Sequence, residues 1–184
     1  MNHNIKKEHI FNFLKSESII EPISSSEIIS IEEKSNTDTT SLCNINIVSL
    51  NNDSNYWRLN PENKTFLEPN SKKVENVILE YTKDKLLNIM MIEMKSKTIK
   101  RKDENAIVEK FEKSLSWVYL LLNLLDDKQN QKINVYGVLV AQKDKKWNSK
   151  ETLNIFSSTS IRYKKISFYT TNTTIDIDLN SILN

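Results

Sequence analysis

The chain contains very little glycine and cysteine, and each shortage excludes a class of protein. Among 184 residues there is one glycine, Gly137, and one cysteine, Cys43. A single glycine excludes the glycine-rich phosphate loops of P-loop and dinucleotide-binding proteins. A single cysteine excludes an internal disulfide and a multi-cysteine zinc site. We interpret Cys43 as a small apolar residue beside a strand.

Histidine and long apolar runs are also scarce. His3 and His9 are the only histidines, so a serine or cysteine triad would have to recruit one of them as its base. The longest apolar cluster, residues 117–125, is far below the roughly 20 residues that a membrane-spanning helix needs. Residues 1–16 mix charged with apolar side chains and lack the apolar region of a signal peptide. We therefore expect a cytoplasmic protein without a membrane segment.

What is present is typical of a soluble globular domain, with 38% hydrophobic and 27% charged residues. The net charge of +2 does not indicate a nucleic-acid partner, so any such partner must be bound by a local basic face. The length favours one domain. We place its core at residues 46–184, and we expect residues 1–45 to form a helix and an irregular segment packed on that core.

The first and last parts of the chain carry weak secondary-structure signals. The patterns predict a short helix at 5–15, an irregular or weakly strand-forming stretch at 16–41, short strands at 44–50 and 56–59, turns at 60–63 and 69–71, and terminal strands at 161–170 and 174–179.

The middle of the chain is better defined. Residues 74–82 and 86–95 are two apolar runs joined by three polar residues, which predicts a β-hairpin. Residues 104–125 have helical spacing, with Asp103 as the N-cap. Residues 133–142 form a continuous apolar run, typical of a strand buried on both faces. A helix between two strands is a crossover connection, so the strands that it joins should be parallel. We predict an α/β fold with a mixed β-sheet and flanking helices.

Glu93 and Lys95 form the best-marked chemical pair, at the polar end of the second hairpin strand. Because side chains alternate along a strand, both project from the same face. A carboxylate and an ammonium group in this arrangement suit phosphodiester hydrolysis. The carboxylate helps to hold Mg²⁺, and the lysine orients water or stabilises charge on the phosphate.

The hairpin register decides which acid joins this pair. A three-residue loop places Glu75 opposite Glu93 and separates an apolar stretch from a polar tip. A two-residue loop places Asn76 opposite Glu93 and moves Glu80 among apolar residues. A slip of one residue inverts every side chain, so the two registers exclude each other. We prefer the three-residue loop because it segregates polarity better.

An acid on one hairpin strand, Glu-x-Lys on the next, then a helix and a buried strand together resemble the PD-(D/E)XK, or restriction-endonuclease-like, nuclease superfamily. The resemblance covers residues 74–142. It implies that Glu93 and Lys95 are catalytic, with Mg²⁺ or Mn²⁺ as the cofactor. The Pro-Asp pair of the family is absent, and its aspartate position falls at Glu75 or Asn76. If it falls at Glu75, then Glu75 and Glu93 are the metal ligands. If it falls at Asn76, the metal site is crippled unless another acid substitutes.

The family often recruits a further acid from a preceding helix, for which Glu8 and Glu17 are the candidates. Three groups of basic residues are candidate contacts to a nucleic-acid backbone. They are Lys97, Lys100 and Arg101 after the acid pair, Arg162 and Lys164 near the carboxyl terminus, and Lys143, Lys145 and Lys146 beside Trp147.

The resemblance implies a metal-dependent nuclease whose partner is nucleic acid, with DNA expected, and by analogy a role in restriction or defence. The alternative is a catalytically inactive module of the same fold that binds nucleic acid or a protein partner. A purely structural protein is the third class. The sequence leaves open whether the chain forms a homo-oligomer.

Overall fold

The computed structural model describes residues 3–24, 26–34, 41–61, 73–95, 101–125, 132–142, 161–168 and 174–183. The helices in these ranges are α1 (His3–Ser16), α2 (Arg101–Leu125) and α3 (Leu179–Leu183). The strands are β1 (Ile20–Ile23), β2 (Ile29–Lys34), β3 (Ser41–Val48), β4 (Asn55–Leu59), β5 (Asn76–Tyr81), β6 (Leu86–Lys95), β7 (Lys132–Gln142), β8 (Arg162–Phe168) and β9 (Thr174–Asp178).

The main sheet has six strands in the order β1-β4-β5-β6-β7-β8. Neighbours from β1 to β6 are antiparallel, and β6, β7 and β8 are parallel to one another. The predicted mixed sheet and the parallel pairing across the α2 crossover are confirmed. The outer strand β1 has only four residues and includes Pro22, which pairs with Trp57 of β4.

A second sheet, in the order β2-β3-β9, was not foreseen. The sequence predicted extra strands on a single sheet and an irregular stretch before residue 41. Instead, Ile29 and Ile31 of β2 and Ile45 and Ile47 of β3 are buried, while Ser30 and Glu32 are exposed. Such alternation is typical of a sheet that buries one face. Here the buried face packs in one apolar cluster with Ile78 and Met90 of the main sheet.

The opposite face of the main sheet, called the helix face below, is covered by α1 and α2. Leu14 and Phe111 of these helices are fully buried in a cluster with Val77, Ile89 and Leu139 of the sheet. Strands β6 and β7 therefore have buried side chains on both faces, as the apolar run at 133–142 predicted. The helix predicted at 5–15 is also confirmed, as α1.

The predicted start of α2 is wrong by one turn. The helix begins at Arg101, so Asp103 lies in its first turn and is not the N-cap. An acidic residue is favourable in a first turn as well as at the cap, because both positions lie near the positive end of the helix dipole. The predicted turn at 69–71 and the charged segment at 143–150 lie outside the described residues.

The hairpin between β5 and β6 has the three-residue loop that polarity segregation favoured. The Thr82 N–H donates to the Leu86 carbonyl at 3.0 Å, and the Lys85 N–H donates to the Thr82 carbonyl at 3.1 Å. Lys85 has a φ of 59°, the left-handed conformation that ends such a loop. The ladder pairs Asn76 with Ile92, which confirms the predicted register.

Gly137, in the middle of β7, is required for close packing. A Cβ atom at this position would lie 2.7 Å from two ring carbons of Tyr163 on β8. That ring packs edge-on against Phe111 of α2, with centroids 5.4 Å apart. The glycine therefore lets an aromatic side chain lie directly over the strand, where it links β8 to the helix face.

None of the described helices combines the length and the apolar character that a membrane span requires.

Candidate functional site

The site begins with Glu93, near the carboxyl end of β6. Glu93 lies two residues beyond Met91, whose side chain belongs to the helix-face cluster, so it projects from the same face toward α2. Its side chain is 0% exposed. A buried carboxylate costs several kcal/mol unless charged or hydrogen-bonding groups compensate it. The surroundings of Glu93 must therefore supply positive charge or hydrogen-bond donors.

Two lysines supply positive charge around Glu93. The Nζ atoms of Lys95 and Lys110 each lie 2.6 Å from Glu93 Oε1. Lys95 is two residues further along β6 and its side chain is 34% exposed, whereas Lys110 comes from α2 and its side chain is 18% exposed. One carboxylate oxygen thus accepts both ammonium groups. This is the arrangement of a charge cluster and not of an exposed surface pair.

The second carboxylate oxygen is different. Oε2 of Glu93 is buried, and it has no hydrogen-bond partner among the described residues. A buried acceptor without a partner is uncommon and calls for an explanation, such as a bound water, a bound ion or a catalytic role. The described side chains therefore leave Oε2 of Glu93 available as a ligand atom.

Glu75 is the second acid at this end of the hairpin. Asn76 pairs with Ile92, so continuing the register by one residue places Glu75 beside Glu93. Its Oε2 accepts a hydrogen bond of 3.1 Å from the Met94 N–H, in the backbone next to Glu93. Glu75, Glu93 and Lys95 thus lie at the same end of the hairpin, in the register that polarity segregation favoured.

Asn76, the alternative for the family's aspartate position, lies on the other face. It opposes Ile92, which belongs to the cluster under the second sheet. Its Oδ1 accepts a hydrogen bond of 2.6 Å from Nε of Arg58. The alternation of the strand thus brings Glu75, and not Asn76, to the face that carries Glu93.

Lys110 begins a line of α2 residues that contact the end of β6 and the segment just before β5. One turn further along, Ser114 Oγ accepts a hydrogen bond of 2.9 Å from the Val74 N–H. Another turn on, the Trp117 ring centroid lies 5.9 Å from Nζ of the buried Lys73. Sequence reasoning missed Lys110. The signal was a lysine and a serine on the helix side that also carries Ile107, Phe111 and Val118.

The two acids proposed from the first helix lie far apart, Glu8 in the middle of α1 and Glu17 just after its end. Glu8 lines an apolar groove of about 540 Å³ together with Tyr81 and Leu87. Leu87 is six residues from Glu93 on β6, which is about 20 Å along a strand, so Glu8 is not at the site. Glu17 follows the end of α1, just before β1 pairs with the Leu59 end of β4. Leu59 pairs with Val77, so Glu17 lies toward the Glu75 end of the sheet.

Only some of the basic residues predicted to contact a nucleic-acid backbone lie among the described residues. Lys97 and Lys100 lie outside the described residues, and Arg101 begins α2 with a side chain that is not described. Arg162 and Lys164 share a strand face with Ile166, which packs under the second sheet. They project from the face opposite Glu93, and the structure does not bring them to the site.

Arg162 and Lys164 have partners on that opposite face. The Arg162 guanidinium lies 5.8 Å from the centroid of the Tyr136 ring. Nζ of Lys164 donates to the carbonyl of Ser181 in α3. The segment 143–150, which carries the third predicted basic group, lies outside the described residues.

The chemistry of the donor atoms decides whether a metal fits at the site. Among the described residues, no group of three or more His, Cys, Asp or Glu side chains lies together. Mg²⁺ is commonly held by one or two carboxylates, with water and substrate phosphate filling the other positions. Glu75 and the unpartnered oxygen of Glu93 provide that number of hard oxygen donors. The residues present therefore fit Mg²⁺ or Mn²⁺.

A second buried carboxylate, Glu80, lies on the face toward the second sheet. It accepts hydrogen bonds of 2.7 Å from the Tyr56 hydroxyl and from Nδ2 of Asn88, one on each oxygen. Burial, and then the hydrogen bond to Glu80, raise the pKa of Tyr56 to about 12. Because both oxygens of Glu80 are satisfied by neutral donors, this network is a structural element of the core.

Known protein families, curated proteins and solved structures contain no match to this chain. Its function must be inferred from the geometry of its own residues.

Proposed function

We propose that this protein is a divalent-metal-dependent nuclease of restriction-endonuclease-like fold, and that its substrate is DNA. The observation that carries the proposal is the environment of Glu93. This fully buried carboxylate has one oxygen on two ammonium groups, and its other oxygen has no partner among the described residues. A purely structural ion cluster has no need of an open coordinating oxygen next to a second acid, Glu75.

The order of elements supports the fold. Helix α1 precedes the antiparallel strands β4, β5 and β6, and α2 then leads to the parallel strand β7. The first acid comes just before β5, Glu-x-Lys is at the end of β6, and β7 is buried between two layers. These are the positions that the resemblance to PD-(D/E)XK nucleases implies.

The chemistry assigns a role to each side chain. Glu75 and Oε2 of Glu93 would hold Mg²⁺, which when bound supplies the positive charge that activates water and polarises phosphate. Lys95 is exposed enough to meet solvent, and its ammonium group donates a hydrogen bond to a phosphate oxygen or to the attacking water. In the hydrolysis, the water oxygen bonds to phosphorus and releases a proton to solvent, the bond from phosphorus to the leaving sugar oxygen breaks, and that oxygen takes up a proton from solvent.

The test is cleavage of labelled duplex DNA, single-stranded DNA and RNA by the full chain in Mg²⁺ and in Mn²⁺. We expect Glu93→Gln and Lys95→Met each to lower the cleavage rate by about 100-fold or more, and a chelator to abolish it. Lys113→Met is the matched control, because Lys113 is a half-exposed lysine of α2 that pairs with Glu109. Circular dichroism must show that each variant is folded. Cleavage at the wild-type rate by folded Glu93→Gln contradicts the proposal.

A second candidate is a module that binds nucleic acid without cleaving it. The observation that favours it is the small donor set, since no third metal ligand accompanies Glu75 and Glu93 among the described residues. This module binds DNA in the presence of a chelator with an affinity that falls steeply as salt rises, and it does not cleave in either metal. Fluorescence anisotropy over a range of salt concentrations, beside the cleavage assay, distinguishes it from the enzyme.

A further inference from the structure

Lys110 is the group at the site that the proposed chemistry does not use. Its ammonium group lies 2.6 Å from Glu93 Oε1, as close as that of Lys95. It comes from α2 and not from the strand that carries Glu93 and Lys95. The site therefore contains two lysines where orientation of water or phosphate requires only one.

Among the described residues, the charges at the site balance without a metal. Glu75 and Glu93 bring two negative charges, and Lys95 and Lys110 bring two positive charges. A divalent cation on Oε2 of Glu93 would therefore meet no net negative charge from these four side chains, and it would lie near two ammonium groups. Repulsion between like charges is several times stronger in a buried site than in water.

The two lysines differ in how easily they can move away. Lys95 lies at the end of β6 with a third of its side chain exposed. Lys110 is held more firmly, because the hydrogen bond from the Val74 N–H to Ser114 fixes α2 one turn further along. Its side chain is also more buried, at 18% exposed. Lys110 is therefore the ammonium group that an incoming cation cannot readily displace into solvent.

We propose that Lys110 is a resident counter-cation of the Glu93 site, and that it keeps the affinity of this site for a divalent cation low when no phosphate is bound. The proposal rests on the proposed function, because it concerns the cation that such a nuclease needs. In this arrangement the core is stable without metal. The cation binds firmly only when a phosphate oxygen brings additional negative charge, so metal and phosphodiester bind together.

The experiment is calorimetric titration of Mn²⁺ alone into the metal-free full chain. We compare wild type, Lys110→Met, Lys110→Gln and the control Lys113→Met, whose lysine lies on the same helix. We expect both Lys110 variants to bind Mn²⁺ about tenfold more tightly or better, because one repulsive charge is gone. Lys113→Met should bind as wild type does. The Lys110→Gln variant keeps a donor for Glu93 and guards against loss of folding in Lys110→Met.

Thermal unfolding gives a second readout that is independent of cleavage. Mn²⁺ should raise the melting temperature of the Lys110 variants more than that of wild type, because tighter binding to the folded state stabilises it more. Equal or weaker Mn²⁺ affinity in folded Lys110 variants overturns the role of Lys110 and leaves the nuclease proposal standing. Absence of Mn²⁺ binding in the folded Lys110 variants likewise overturns the role of Lys110, and the cleavage assay then decides the nuclease proposal by itself.

Discussion

Two buried carboxylates of the main sheet, Glu80 and Glu93, differ in what their oxygens contact. The oxygens of Glu80 accept hydrogen bonds from Tyr56 and Asn88, one each. Glu93 has both of its ammonium partners on one oxygen. Only Glu93 keeps an acceptor that no described residue fills. Burial does not distinguish the two carboxylates, because both are almost fully buried. They differ in how hydrogen-bond donors are distributed over their two oxygens.

The Glu80 network predicts a pH dependence of stability. The folded state keeps the Tyr56 phenol protonated up to a pKa of about 12. The unfolded chain loses that proton near a pKa of about 10. Between these values the unfolded state binds fewer protons than the folded state, so the free energy of unfolding falls as pH rises. The contribution of Tyr56 is complete below pH 10 and is lost through pH 12.

Above pH 10, the free energy of unfolding of Tyr56→Phe should therefore fall less steeply with pH than that of wild type. Tyr119→Phe is the control, because Tyr119 is an exposed tyrosine of α2. Urea unfolding at several pH values from 9 to 11 measures both slopes. Parallel curves for wild type and Tyr56→Phe would show that the Glu80 network does not hold the phenol in its neutral form.

The position of a single residue at the site was predictable where one local sequence pattern determined it. Glu75 follows from the hairpin register, since only the three-residue loop keeps polar groups together at one tip. Lys110 did not follow, because a lysine among apolar helix positions gives no indication of its partner. That partner is 17 residues away in sequence, and only the packing of α2 on β6 brings them together.

At the scale of elements, the hairpin loop shows what a chain with one glycine must tolerate. Three non-glycine residues among those described have a positive φ: Ser18, Ser49 and Lys85. A side chain in this conformation clashes with its own backbone, at a cost of about 1 kcal/mol or more. In the β5–β6 loop, Lys85 bears this cost at the position where glycine is normally found.

Lys85→Gly should raise the free energy of unfolding by about 0.5–1 kcal/mol, since relief of strain exceeds the greater freedom of glycine in the unfolded chain. The neighbouring Asp84 has no positive φ, so Asp84→Gly should lower stability. Chemical denaturation of the two variants beside wild type measures the difference. A loss of stability in Lys85→Gly contradicts the assigned loop geometry.

Elements with strong local patterns were predicted, and those that depend on distant partners were not. The β5–β6 hairpin, α2 and β7 each carry long apolar or periodic runs. β2 has only six residues and is rich in serine and glutamate, and it forms because β3 pairs with it. β3 in turn pairs with β9, where Asn46 donates a hydrogen bond to Asp176, 130 residues away in sequence. Such long-range pairing leaves no local pattern.

At the scale of the whole molecule, the main sheet separates two apolar clusters. Trp57 and Trp117 pack with the cluster of the helix face. Ile182 of α3 is 1% exposed and belongs to the cluster under the second sheet. Every strand from β5 to β7 contributes side chains to both clusters, so loss of packing on one face should loosen the other.

Ile182→Ala should lower the free energy of unfolding by about 2–4 kcal/mol, because it leaves a cavity in a fully packed region. The decrease should be the same by circular dichroism and by tryptophan fluorescence, although Trp57 and Trp117 lie on the opposite face. Asn180→Ala, at an exposed position of the same helix, should have little effect. Two transitions at different denaturant concentrations would show that the two faces unfold separately.

The short outer strand β1 has a consequence for how the protein behaves at high concentration. The free edge of a sheet attracts strands from other molecules, and a proline there cannot donate a backbone hydrogen bond. β1 has only four residues, and they include Pro22 and the exposed Glu21. An incoming strand would therefore find fewer backbone donors and a charged side chain at this edge of the sheet. Self-association by pairing of strands at this edge is therefore disfavoured.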